Sequence, residues 1–315
     1  MEIFRYQFTG NEIYRSYCEL LGKKTAIIKK LHEIPFLPVE FFRTHQIRTG
    51  AFDAQKIFSS SGTTGSTSSK HYVMDLGLYE ESFQRAFEIF FGKPEDYAIL
   101  ALLPSYLERD DSSLICMVEG LMKKSSHPAN GFFLYDHSAL NERLKLLEDQ
   151  HQKTLLIGVS FALIDFAEEY QVPLKHTRVM ETGGMKGRRE EITREALHQI
   201  LTRSFGIKNI CSEYGMTELL SQAYSLGGGK YKTPRWMKVL LRDVNDPAEV
   251  MLIEDLLKNR NLSRSGGVNV IDLANLDSCC FISTQDLMKV DSDGSFEILG
   301  RMDYSDVRGC NLMWE

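Results

Sequence analysis

The chain has 315 residues, of which 43% are hydrophobic and 25% charged, and its formal net charge is −6. A chain of this length buries a large core without needing disulfides or a structural metal. The acidic balance argues against broad binding to nucleic acids or anionic membranes, so small molecules or another protein are the better partners.

The cysteines and the apolar runs narrow the possible classes of protein further. The six cysteines form neither a CxxC pair nor a Cys/His cluster at zinc-ligand spacing. The amino end lacks the apolar core of a signal peptide, and no apolar run approaches the ~18 residues that span a bilayer. These features predict reduced thiols, no membrane span and a cytoplasmic location.

The first 55 residues predict a helical cap. Apolar residues recur at helical spacing from Asn11 to about Leu31, and IPFLPVEFF, with its two prolines, then suits an extended arm or a helix start.

Residues 56–226 predict an α/β core. Short apolar runs read as strands, namely KIFSSS, YAILALLP, GFFLYD, TLLIGV, RVMETGG and NICSEYG. Helical patterns lie between them, including LYEESFQRAFEIF, SSLICMVEGLMKK and EEITREALHQILTRSF. This alternation is typical of a mostly parallel sheet with helices on both faces.

Residues 227–315 predict an antiparallel, β-rich subdomain. The strand-like runs are WMKVLLRDV, VNVIDLAN, CCFISTQDLMKV and SFEILGR. A turn signal, Ser292-Asp293-Gly294, separates the last two runs. The fold class is therefore α/β with a carboxyl-terminal β-rich subdomain.

A loop rich in Gly, Ser and Thr lies between Phe58 and Lys70. Glycine lets backbone amides turn toward an anion, and hydroxyls add donors without bulk, so this loop can surround a polyphosphate. It is not a Walker A loop, because no Gly-Lys-Ser/Thr follows Gly62 at the required spacing. On composition alone, a flexible surface loop is an equal alternative.

Four motifs in order carry a resemblance to a known superfamily. SSGTTG followed by a lysine resembles the phosphate loop of adenylate-forming enzymes, which include acyl-CoA synthetases, firefly luciferase and peptide-synthetase adenylation domains. ETGGMK and SEYGMTE resemble the blocks that flank adenine, and STQD with DGSFEILGRMD resembles the block that holds the ribose. Each motif alone has a structural explanation: Tyr214 as core, Glu218 as a helix-start carboxylate, Asp286 and Arg301 as surface charges. Their joint order favours a nucleotide site.

The resemblance implies ATP and Mg²⁺ as cofactors and gives the residues their roles. Thr63 and Thr64 would hold the β and γ phosphates, Thr217 would contact the α-phosphate, and Glu218 would ligate magnesium. Asp286 would orient the ribose together with Arg301. The other implied nucleotide-binding residues are Ser60, Ser61, Gly62, Gly65, Lys70, Gly183, Gly184, Glu213, Tyr214 and Gly215.

The carboxyl end departs from the superfamily pattern. Full-length members continue into a small mobile domain that carries a lysine for the substrate carboxylate, whereas this sequence ends at Glu315. Three features resemble the LuxE-type acyl-protein synthetases, which transfer the acyl group to their own cysteine. They are the shortened end and the motifs LLPSYLERDDSSL and RGCNL. Cys310 is then the candidate acceptor, because neighbouring arginines would favour its thiolate. A buried, inert thiol is the equal alternative.

Three hypotheses follow. The first is an acyl-protein synthetase that activates a fatty acid and passes the acyl group to Cys310, with a reductase or another acceptor as partner. The second is an acyl- or aryl-CoA ligase related to phenylacetate-CoA ligase, acting on a fatty or aromatic acid. The third is a nucleotide-binding module with reduced catalysis. The apolar residues that could line an acyl channel, or equally pack a core, are Phe132, Phe133, Leu134, Val159, Phe161 and Met180.

Overall fold

A computed structural model describes residues 1–60, 68–103, 110–183, 192–259 and 264–302. Within these ranges, no helix is both long and apolar enough to cross a membrane.

Two short helices, α1 (Glu2–Gly10) and α2 (Glu12–Leu20), open the chain. The side chain of Asn11 accepts a hydrogen bond from the Tyr14 amide and so caps α2. The prediction of one helix from Asn11 to about Leu31 was wrong at its far end. Gly22 has a φ of +67°, in the left-handed region that ends helices, and residues 21–30 form a loop. Strand β1 (Leu37–Pro38) and helix α3 (Phe41–Thr44) follow, so IPFLPVEFF is both an extended arm and a helix start.

The α/β part follows the predicted alternation. Its strands are β2 (Lys56–Ser59), β3 (Lys70–Val73), β4 (Ala98–Leu102), β5 (Gly131–Phe132), β6 (Thr154–Val159), β7 (Thr177–Thr182) and β8 (Cys211–Tyr214). Its helices are α4 (Leu76–Phe91), α5 (Ser113–Ser125), α6 (His137–Asp149), α7 (Ser160–Glu169) and α8 (Arg194–Phe205). Strands β4 to β8 pair in parallel in the order β5-β4-β6-β7-β8. The parallel sheet with intervening helices is confirmed.

One strand was assigned to the wrong sheet. The run KIFSSS gives β2, which pairs antiparallel with β3 in a separate two-stranded sheet. Its in-register partners join Ser59 to Lys70, so the Gly/Ser/Thr loop connects the two strands of a hairpin. A short apolar run specifies a strand but not its partner, which explains the error.

The β-rich part continues the main sheet. Its strands are β9 (Ala223–Ser225), β10 (Tyr231–Lys232), β11 (Met237–Arg242), β12 (Val250–Leu252), β13 (Ser265–Asp272), β14 (Phe281–Val290) and β15 (Phe296–Arg301), with the short helix α9 (Ile253–Lys258) after β12. The pairs among β8 to β15 are antiparallel, as predicted, and β1 adds in parallel to β14. Gly294, with a φ of +82°, makes the predicted turn before β15.

Two apolar clusters fill the interior. The first, which we call the α/β core, is built from residues between Phe58 and Tyr224 together with Ala274. The second, the β core, joins residues 4–47 to residues 214–296. The amino-terminal helices therefore pack against the β-rich part. The segment 214–224 contributes Leu220 and Tyr224 to the first cluster and Tyr214 and Leu219 to the second, so it crosses between the cores.

Candidate active site at the junction of the two cores

The turn after β8 lies where the two cores meet. Gly215 follows the strand. A side chain at this position would displace the Glu213 carboxylate, because its Cβ would lie 2.4 Å from Oε1 of Glu213. The amide of Leu219 then donates to the carbonyl of Met216 over 3.0 Å and closes the turn. Thr217 and Glu218 lie within this turn, beyond the carboxyl end of a parallel strand, which is where open α/β sheets bind ligands.

Two buried side chains hold the backbone that follows Glu218. The Asp272 carboxylate accepts hydrogen bonds from the amides of Leu220 and Ser221 at 3.0 and 2.9 Å. Burial raises the pKa of Asp272 to about 6, opposed by the hydrogen bonds that its carboxylate accepts. The Asn275 amide donates to the Glu218 carbonyl over 2.7 Å. The turn is therefore fixed by residues far away in sequence.

The Glu218 side chain is 7% exposed. The hydroxyl of Ser69, one residue before β3, donates to its carboxylate. Burial raises the pKa of Glu218, and the Ser69 hydrogen bond is the strongest opposing influence, with weaker ones from the charges of Arg301 and Arg43. This contact places the carboxylate at the base of the hairpin that carries the Gly/Ser/Thr loop.

His71 joins the same hairpin to the same turn. Its Nδ1 lies 2.9 Å from the Thr217 carbonyl, which can only accept, so Nδ1 carries the proton. Its Nε2 lies 2.8 Å from Oγ of Ser278 and accepts from that hydroxyl. A hydrogen bond from His71 to a phosphate would not fit this geometry, because both ring nitrogens already have protein partners. His71 is a clamp between the hairpin and the turn.

Because His71 is buried in its neutral form, we expect the free energy of unfolding to fall at acid pH. Burial lowers the pKa of His71 from its ordinary 6.5 to about 4, so its contribution is present above pH 6.5 and is lost as the pH falls toward 4. The full loss is about 3 kcal/mol in the free energy of unfolding. Denaturant unfolding of the wild type and His71→Gln checks this, and the difference between them should shrink on acidification. The exposed His45→Gln serves as the control, and an undiminished difference would contradict the clamp.

A hydrogen-bonded chain connects β8 to the last two strands. The Tyr214 hydroxyl donates to Oδ2 of Asp286 over 2.7 Å, and Nε of Arg301 lies 3.5 Å from Oδ1 of the same carboxylate. Tyr214 and Asp286 are buried, whereas the Arg301 side chain is 66% exposed. Tyr214 therefore orients the Asp286 carboxylate, which lies between the buried core and the accessible guanidinium of Arg301.

Two buried glutamates lie at the ends of β7 and β8. The hydroxyl of Thr182 donates to Glu213, and burial raises the pKa of Glu213 to about 7, with a further contribution from the charge of Glu181. On the other face, Glu181 lies 3.4 Å from Nε of Arg194. Gly183 ends β7 with a φ of +71°, and its carbonyl accepts from the Ser160 hydroxyl over 2.7 Å. These contacts fix the strand ends that were predicted to lie along adenine.

Several solved enzymes share this architecture. An open form of 2-hydroxyisobutyryl-CoA ligase, in complex with 2-HIB-AMP and CoA, aligns with a TM-score of 0.65 and 11% identity over 96% of this chain and 73% of its own. O-succinylbenzoate coenzyme A synthetase from Bacillus subtilis, in complex with AMP, gives 0.53 and 17% over 80% and 50%. A long-chain-fatty-acid-CoA ligase from Archaeoglobus fulgidus gives 0.52 and 12% over 79% and 52%.

The chain has the fold of an adenylate-forming domain. At these identities the likeness shows the fold alone, and the chain spans between 50% and 73% of the lengths of these three proteins. By sequence, no protein-family model and no curated protein matches the chain.

The adenylate-forming fold brings part of the predicted residue set together. Thr217 and Glu218 contact the hairpin that holds Ser60 and Lys70, and Tyr214 contacts Asp286 and through it Arg301. Lys70 is exposed at the start of β3. The predicted site residues outside the described ranges are Ser61, Gly62, Thr63, Thr64, Gly65, Gly184 and Cys310.

Other residues of the site were missed or assigned differently. Ser69, Asp272 and Asn275 were not predicted, and no local pattern marks them, because each acts on a turn distant in sequence. The apolar residues considered for an acyl channel belong to the α/β core or pack against it, namely Phe132, Phe133, Val159, Phe161 and Met180, whereas Leu134 lies half-buried with a φ of +48°.

Proposed function

We propose that this chain activates a carboxylic acid with ATP and then transfers the acyl group to a thiol, with Cys310 as the acceptor. In the first step a carboxylate oxygen bonds to the α-phosphorus and pyrophosphate leaves. In the second step the thiolate bonds to the acyl carbon, AMP leaves, and the proton of the thiol goes to solvent.

One observation carries the first step: the buried carboxylate of Glu218 is held by Ser69 at the base of the Gly/Ser/Thr hairpin. Adenylation joins two anions and abstracts no proton, so it needs fixed donors and positive charge rather than a general base. In the proposal, Thr63, Thr64 and Thr217 donate to the phosphates, while Asp286 and Arg301 hold the ribose. Gly183, Gly184 and Tyr214 flank adenine.

A magnesium ion fits this arrangement through one protein ligand. Glu218 offers a hard carboxylate oxygen, and the described ranges contain no group of three or more His, Cys, Asp or Glu side chains suited to a metal. Magnesium is typically bound by one or two carboxylates together with substrate phosphates, which matches the buried Glu218 at the base of the hairpin. When bound, the ion would neutralise phosphate charge.

The described thiols are poor acceptors. Burial raises the pKa of Cys18 and Cys279 to about 12, that of Cys116 and Cys211 to about 11, and that of Cys280 well above its ordinary value. The thiolate is the nucleophile, so burial disfavours reaction at these five side chains at neutral pH. This supports an acceptor elsewhere, either Cys310 or a separate thiol.

Coenzyme A is the second candidate acceptor. It is favoured by the 2-hydroxyisobutyryl-CoA ligase complex with CoA, whose fold matches 96% of this chain. In that alternative, the free thiol of coenzyme A attacks the adenylate and the protein carries no acyl group.

The test follows pyrophosphate release and the intact mass of the protein with Mg-ATP and a panel of fatty and aromatic acids, with and without coenzyme A. A hydroxylamine-labile acyl adduct without coenzyme A supports the acyl-protein synthetase. Pyrophosphate release that yields only an acyl-CoA replaces it with the ligase. ATP binding without pyrophosphate release for any acid would overturn both and leave a nucleotide-binding module.

A further inference from the structure

The end of α2 and the loop that follows it display aliphatic and basic side chains together. Leu20, Leu21 and Ile27 are 87%, 51% and 56% exposed, which is unusual for large apolar residues on one short segment. Two lysines lie between these residues and two more follow Ile27. We define the lysine–aliphatic patch as Leu20, Leu21, Lys23, Lys24, Ile27, Lys29 and Lys30.

The patch is basic in an acidic protein. No carboxylate occurs between residues 20 and 32, and the flanking Glu19 and Glu33 are outnumbered by the four lysines, whereas the whole chain carries −6. Lys24, Lys29 and Lys30 are exposed and Lys23 is half-buried, and none of them forms an ion pair with the part of the chain that the structure describes. The charges of the three exposed lysines are therefore directed to solvent.

The backbone of the patch is fixed. The Lys23 amide donates to the Cys18 carbonyl over 2.8 Å, and the Ile28 side chain is 2% exposed within the β core. The Glu33 carboxylate accepts from the amides of Lys29 and Lys30 at 2.7 and 3.0 Å. A loop held in this way presents its side chains without a large ordering cost on binding.

We propose that the lysine–aliphatic patch binds the surface of an anionic lipid bilayer. Exposed aliphatic side chains insert at the boundary of headgroups and acyl chains, while lysines are attracted to anionic lipids. A protein partner fits less well, because protein interfaces are enriched in aromatic residues and arginine and depleted in lysine. The negative net charge of the whole chain does not prevent this binding. Electrostatic interactions are screened beyond about 10 Å, so the charges of the patch itself act on the lipid surface.

A cavity of about 420 Å³ opens beside the patch. Leu21 and Lys23 line it together with apolar residues of the β core, including Ile34 and Phe36. The recess that adjoins this surface is of mixed polarity, because Glu33, Glu40 and Arg242 also line it.

The test uses flotation of the full chain with vesicles of phosphatidylcholine alone and with phosphatidylcholine mixed with anionic phosphatidylglycerol, at low and high salt. Binding should require the anionic lipid and weaken with salt. The variant K24Q/K29Q should bind about thirtyfold more weakly, since each lysine near an anionic surface contributes about a factor of five. The variant L20S/I27S should also weaken binding while leaving its salt dependence in place.

The matched control is K145Q/K208Q, which removes the same charge from two exposed lysines on another part of the surface. Equal loss in the control, or no binding to anionic vesicles at low salt, would overturn the proposal. So would a dimer that K24Q/K29Q dissociates in size-exclusion chromatography, which would assign the patch to a second copy of the chain. The proposal does not rest on the adenylating activity, because flotation needs neither ATP nor an acid.

Discussion

Glu218→Gln should reduce pyrophosphate release by at least about 100-fold while the protein stays folded, because a charged ligand at the phosphates is worth several kcal/mol in the transition state. The fold should persist since the Ser69 hydroxyl can donate to the glutamine oxygen as it does to the carboxylate. Burial raises the pKa of Glu218, so removing its charge should not lower the free energy of unfolding at neutral pH. Steady-state pyrophosphate release and denaturant unfolding measure the two effects separately.

Glu88→Gln is the matched control, since Glu88 is exposed on α4 and should leave the rate unchanged. Retention of more than about a tenth of the wild-type rate in Glu218→Gln would remove Glu218 from the proposed chemistry.

Local patterns predicted the elements whose periodicity is strong. β4, β6 and β7 are nearly or fully buried runs of five or six residues between helical stretches, which is typical of a parallel sheet. The end of α2 was missed because it depends on the left-handed conformation of Gly22, whereas the apolar spacing continues beyond it.

The site shows the same division between local and tertiary information. Tyr214 and Glu218 lie in one short motif beyond a strand end, so sequence could indicate them together. Ser69 could not be indicated in this way, because it approaches from a segment about 150 residues away along the chain. Asp286 was predicted from a motif of its own, about 70 residues away, but its hydrogen bond with Tyr214 was not. Spacing in sequence carries no information about which hydroxyl or carboxylate completes a turn built by another segment.

The junction of the two cores gives a physical reason for a site at this place. Segment 214–224 contributes side chains to both clusters, and His71 joins it to the hairpin. Residues that pack on two sides have little freedom to move, so the Glu218 carboxylate is preorganised before any ligand binds. Preorganised groups lower a barrier more than groups that must be ordered during the reaction.

Cys310→Ala should abolish the acyl adduct of the protein while a single turnover of pyrophosphate release survives, because the thiol acts only after adenylation. Cys310 lies outside the described residues, so this prediction rests on its sequence position after Gly309 and near Arg301 and Arg308. Intact mass after incubation with Mg-ATP and a responsive acid measures the adduct. Cys116→Ala is the control, since Cys116 is the half-buried thiol among the described cysteines.

The chemistry of the bond separates this outcome from its alternatives. A thioester is cleaved by neutral hydroxylamine, whereas an oxyester on Cys310→Ser would resist it, so the two variants together identify the atom that carries the acyl group. An adduct of full stoichiometry in Cys310→Ala would assign the acceptor to another residue, and one that appears only on coenzyme A would make the chain a ligase.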